Sequence, residues 1–178
     1  LWLNGASLPI APSPAPRRAQ LSGIPNGTAG SIATMRAMRS LVNVAIRDPA
    51  QQIRESALAI LRGVSTSFTD QARAIQQWVQ RNIEYRRDPP DFELVQTPQV
   101  TLQLRAGDCD DQAVLTAALL QSTGHPSRFI AVGLDGGPLS HVLTQTLIGN
   151  SWVAAETIEK RALGWMPPGI TSHYIVKV

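Results

Sequence analysis

The stretch "RAGDCDDQAVLTAALL", residues 105–120, holds the only cysteine of the chain. Gly107 and Asp108 read as a turn and a helix N-cap, and the apolar run behind them buries Val114, Leu115, Ala118 and Leu119 before Gly124 closes the helix. That places Cys109 in the first helical turn, where it reads as a nucleophile, a metal ligand or a small buried residue. First-turn N–H groups favour a thiolate and suit an oxyanion developing beside it. Asp108, Asp110 and Asp111 act the other way, because neighbouring carboxylates raise a thiol pKa. A nucleophile here therefore needs a basic partner. The three acids lack the spaced oxygens and the glycine of a calcium loop, so helix capping is expected of them and no metal or cofactor is.

Upstream of this stretch the apolar residues recur at helical spacing. In "SIATMRAMRSLVNVAIRD" they are Ile32, Met35, Met38, Leu41, Val42 and Ala45, and Asp48-Pro49 stops the pattern. Ile53, Ala57, Ile60 and Leu61 mark a second helix ended by Gly63. A third, capped by Thr69 or Asp70, buries Ala72, Ile75, Trp78, Val79 and Ile83. The run "RRDPPDFELVQTPQV" is rich in turn residues and is expected to be a connecting loop.

Downstream of Pro126 the period changes. "RFIAVGLD", "HVLTQTLI" and "SWVAAETI" read as short strands separated by "GGPLS" and "GN". Helices first and strands later predict an α+β fold with N-terminal helices packed on an antiparallel β-sheet. Residues 1–30 are expected to form an extended Pro/Gly-rich arm, and residues 31–178 one domain.

Of 178 residues, 43% are hydrophobic, enough for a core. The formal charge of +3 comes from 16 basic and 13 acidic side chains without a basic tract, so nucleic-acid binding is not expected. One cysteine permits no intrachain disulfide. The longest apolar run falls far short of the roughly 18 residues of a membrane span. "LWLNGASLPIAPSPAPRR" lacks the basic lead and apolar core of a secretory signal. A soluble protein is the expectation.

The basic partner must come from His125, His141 or His173. If Gly149-Asn150 is a two-residue hairpin turn, Ile148 faces Ser151 and Leu143 faces Glu156. His141 lies two residues from Leu143 on the same face, which makes Glu156 its diagonal neighbour, within hydrogen-bond reach. Cys109, His141 and Glu156 then supply a nucleophile, a base and an orienting acid. His125, between Gly124 and Pro126, is expected in solvent, and His173 in the tail has no evident partner. Besides the Cys109 N–H, Gln103 and Gln96 are candidates for a second oxyanion donor.

"GDCDDQAVLTAALLQSTGHPSRFIAVG", followed by His141 in "SHVLTQTLIGNSWVAAET" and preceded by "WVQRNIEYRRDP", resembles the transglutaminase-like superfamily of cysteine enzymes over roughly residues 70–160. The resemblance implies a papain-like core, with Cys109 as nucleophile, His141 as base and Glu156 where the family usually has Asp. The ending "EKRALGWMPPGITSHYIVKV" and the Met-rich first helix are similar to the small transglutaminase-like proteins of tailed phages and prophages. That implies a cysteine hydrolase or acyltransferase of the bacterial cytoplasm or a phage particle, acting on a protein or a peptidoglycan peptide. The alternative is a virion tail or capsid component that keeps the fold and uses its arm to bind neighbouring subunits.

Overall fold

The computed structural model describes residues 18–20, 27–89 and 94–178. Most of the Pro-rich arm lies outside them. Helix α1 spans Thr28–Ile46, α2 Gln52–Ile60, α3 Phe68–Asn82, α4 Pro98–Leu104 and α5 Cys109–Ser122. The strands are β1 (Arg18–Gln20), β2 (Glu84–Tyr85), β3 (Leu94–Gln96), β4 (Ala106–Gly107), β5 (Ser127–Leu134), β6 (Leu139–Ile148), β7 (Ser151–Ala155) and β8 (Ile170–Lys177).

Helix α5 is the centre of the fold. Every residue from Asp111 to Leu120 is buried, because α1 to α4 pack on one side of it and β6 on the other. A helix enclosed this way has no polar stripe. Complete burial of Leu115, Leu119 and Leu120 contributes about 1.5–3 kcal/mol each. Thr144 ties sheet to helix by donating its hydroxyl to the Ala113 carbonyl at 2.9 Å.

The main sheet has the order β7-β6-β5-β8, and all its pairs are antiparallel. Its residues alternate between two apolar layers, as a period of two requires. Phe129, Ala131 and Val142 join the helical core, while Ile130, Val132, Leu143 and Ala154 form a second layer with Met166, Ile170 and Ile175. The structure is thus α+β, with helices on one face of an antiparallel sheet.

Three local expectations need correction. Helix α3 is capped by Ser67, not by Thr69 or Asp70: the Ser67 hydroxyl accepts from the Asp70 N–H at 3.4 Å. Asp70 instead sits in the first turn and pairs with Arg73 at 2.6 Å. The run after Tyr85 is more than a loop, since it contains β3 and α4. Thr97 caps α4 through the Val100 N–H, and Pro98 takes the first helical position, where its missing N–H costs nothing. Strand β3 pairs with β1, a partner distant in sequence. Finally, the C-terminal tail supplies β8, which pairs along the free edge of β5.

Candidate active site

The start of α5 is held by its own acids. The Asp108 carboxylate accepts the N–H groups of Asp110 and Asp111 at 3.1 and 3.3 Å. Asp111 reaches back to the Asp108 N–H at 3.3 Å, completing a capping box. Its two oxygens also accept the Gln96 N–H and the Gln96 side-chain amide, each at 2.7 Å. A buried carboxylate thereby ties β3 to the helix that carries Cys109. Burial first, and Asp108 second, push the Asp111 carboxyl up to about 7, while the Gln96 and Asp108 N–H groups pull it down. Gly107 is required here, because a Cβ would lie 2.5 Å from the Asp111 Cβ.

Cys109 is partly buried, and its thiol donates to Asp110 Oδ1 at 3.6 Å. Burial, then Asp110, then Asp108 raise its pKa far above the ordinary thiol value, and the Val142 N–H on β6 opposes them. The resting thiol is therefore protonated at neutral pH. The sulfur sits beside the strand of His141, yet among the described residues it makes no hydrogen bond to His141 itself. Asp108, Cys109 and Asp110 place three ligand-type atoms within 4.8 Å of one another, but Asp108 is committed to capping.

His141 and Glu156 are brought together by the hairpin turn. Ile148 faces Ser151 and Thr144 faces Ala155, so one further step sets Leu143 opposite Glu156. At Gly149-Asn150 only the first position has positive φ, at 58°, as a type II′ turn demands. His141 Nε2 lies 2.6 Å from Glu156 Oε2. Glu156 has no exposed surface, and its Oε1 accepts the N–H groups of Ile158 (2.6 Å) and Glu159 (3.3 Å). Burial alone raises its pKa, but the His141 hydrogen bond and charge and the two N–H groups outweigh burial and hold it below the usual carboxylate range. An ionised carboxylate only accepts, so Nε2 carries the imidazole hydrogen. Nδ1 keeps the lone pair a base needs.

Sequence reasoning missed the residues that fix Glu156. The side-chain amides of Gln76 and Gln80, one turn apart on α3, both donate to its carbonyl at 2.8 Å. The signal was available: Gln76 falls within the apolar stripe of Ala72, Ile75 and Val79 and is buried. Of the oxyanion candidates, Gln103 is exposed on α4 and Gln96 has its amide engaged by Asp111. His125 is not in solvent. It is buried, with Nε2 2.8 Å from Gln71 Oε1 and its ring 4.4 Å from that of Phe68, because the turn after α5 folds inward onto α3. His173 is exposed on β8, opposite Val132.

The family model of the transglutaminase-like superfamily matches residues 54–157, which include Cys109, His141 and Glu156. No curated protein matches the sequence. Among solved structures, a candidate protease from Parabacteroides distasonis ATCC 8503 superposes with a TM-score of 0.54 at 14% identity, over 68% of this chain and 26% of that one. A candidate cysteine protease from Cytophaga hutchinsonii is similar at a TM-score of 0.49 and 15% identity, over 80% of this chain and 55% of that one. The chain thus spans about a quarter and about half of these two proteins. Among the described residues no helix is long and apolar enough to cross a membrane. With more than half its length matched by the family model and the sheet and central helix in place, the chain belongs to the transglutaminase-like superfamily.

Proposed function

We propose that the chain is a cysteine hydrolase of amide or peptide bonds, with Cys109 as nucleophile, His141 as general base and Glu156 as the acid that orients it. The observation that carries this reading is the 2.6 Å contact between His141 Nε2 and the buried Glu156 carboxylate, on a strand whose Val142 N–H faces the Cys109 sulfur. Because the resting thiol is protonated, attack couples to proton transfer. The thiol turns from Asp110, gives its proton to His141 Nδ1, and sulfur adds to the carbonyl carbon. The tetrahedral oxyanion faces the first-turn N–H of Cys109. Its collapse breaks the C–N bond, the imidazolium protonates the leaving amine, and a thioester remains. Water, deprotonated by His141, resolves it.

Among the described residues no feature of the site specifies a second amine, which favours hydrolysis over cross-linking. The resemblance of the chain's ending to phage-encoded relatives favours a viral protein or a peptidoglycan peptide as substrate. The rival assembly role belongs to the Pro-rich arm, of which residues 18–20, strand β1, pair with β3 of the same chain.

The test is alkylation of Cys109 by iodoacetamide at pH 7, followed by mass spectrometry, with Cys109→Ala as blank. Wild type is expected to react about a hundredfold faster than His141→Ala, the low end of general-base effects. Equal rates overturn the proposal.

A further inference from the structure

Beside the candidate triad lies a groove of ≈ 370 Å³ whose lining includes Arg81, Glu84, Tyr85, Arg105, Gln112, Thr157 and Lys160. Its lining meets the support of Glu156, since Gln80 lines the groove and donates to the Glu156 carbonyl at 2.8 Å. Arg105 precedes β4, which leads into Asp108 and Cys109; Gln112 stands one turn along α5 from Cys109; Thr157 follows Glu156. A volume near the lower end of the roughly 300–1,000 Å³ of ligand sites admits one or two side chains, not a folded partner.

The lining is chemically one-sided. It carries three cations and one anion, and Glu84 is already paired with Arg86 at 3.6 Å. Among the described residues, Arg81, Arg105 and Lys160 have no carboxylate partner. Arg105 is held in place: its guanidinium stacks over the Trp78 ring at 4.8 Å, which fixes a cation without neutralising it. The inner wall offers the opposite chemistry. Gln112 is 1% exposed, its amide donates to the Gly107 carbonyl at 3.3 Å, and its Oε1 has no partner. A buried acceptor left unpaired beside a groove is suited to an incoming N–H.

We propose that this groove is the subsite for the acyl-donor peptide and selects a segment bearing acidic side chains. The peptide's carboxylates meet Arg105, Lys160 and Arg81 at the rim, and a backbone N–H reaches Gln112 Oε1. The inference rests on the hydrolase reading for its link to catalysis, but binding is measured without turnover.

The experiment uses the full chain carrying Cys109→Ala and three fluorescein-labelled probes read by anisotropy: a peptide with two Glu, its Gln counterpart, and a single-stranded oligonucleotide of equal charge. Ion pairs at a solvent-open rim are individually modest, so two together are expected to favour the Glu peptide by about tenfold. That preference should disappear in Arg105→Glu and Lys160→Glu, shrink in the milder Arg105→Gln and Lys160→Gln, and weaken with added salt. Equal affinity for the Glu and Gln peptides, a preference that survives all four substitutions, or equally tight oligonucleotide binding overturns the proposal. Since Cys109 is absent from this assay, failure here leaves the alkylation result standing, and failed alkylation leaves this one readable.

Discussion

Replacing Glu156 by Gln changes one atom's chemistry and little shape, and the structure says which bond suffers. Oε1 accepts the Ile158 and Glu159 N–H groups at 2.6 and 3.3 Å, so the amide oxygen of Gln stays there. Its NH₂ group then replaces Oε2 in front of His141 Nε2, 2.6 Å away in wild type. A donor now faces a donor, and the imidazole resolves the conflict by moving its hydrogen to Nδ1. The charge-assisted bond that is lost contributes about 1.5–3 kcal/mol; the replacement amide recovers part of it, leaving a stability cost of about 1–2 kcal/mol. The proposed reaction suffers far more, because Nδ1–H cannot accept the thiol proton: loss of the correct tautomer is expected to cost about 10²–10⁴-fold in rate. Long-range ¹H–¹⁵N spectra of the side-chain nitrogens, assigned against His141→Ala, read the tautomer directly. Wild type should show a protonated Nε2 and Glu156→Gln a protonated Nδ1. The same tautomer in both proteins would refute the reasoning, whatever the activity does.

Two further outcomes concern the helix start. The Asp111 carboxyl is raised from 3.8 to about 7 in the folded state, so the folded chain binds a proton more tightly than the unfolded chain between those values. Stability from this group therefore falls as pH rises from about 4 to about 7 and is flat above; urea denaturation across that range should show the slope in wild type and its loss in Asp111→Asn. Gly107→Ala would put a Cβ 2.5 Å from the Asp111 Cβ, and the clash should cost about 1–3 kcal/mol, read as a lower denaturation midpoint; an unchanged midpoint would show that α5 can shift its first turn freely.

How much of this was legible in the sequence depended on the range of the interactions involved. The cap of α5 and the β6–β7 hairpin are local: Asp108 needs only the next three residues, and a two-residue turn fixes which residues face one another. The contact of His141 with Glu156 follows from that register. Strands β1 and β3 pair across more than seventy residues, and β3 read as loop because its alternation is too short to see. Helix α4 was hidden by the prolines around it, although Thr97-Pro98 is itself a helix start. His125 looked exposed because its partner, Gln71, lies on another helix. The resting thiol's bond to Asp110 depends on a side-chain rotamer, which no spacing encodes.

The enclosure of α5 ties the start of the Cys109 helix to the fate of the whole domain. From Asp111 to Leu120 the helix has no face toward water, so its amide hydrogens exchange only when the surrounding layers separate. Cys109 is mounted on that rod. Cys109 stands two residues ahead of the enclosed segment, so the proposed activity and the tertiary structure should be lost at a single thermal midpoint.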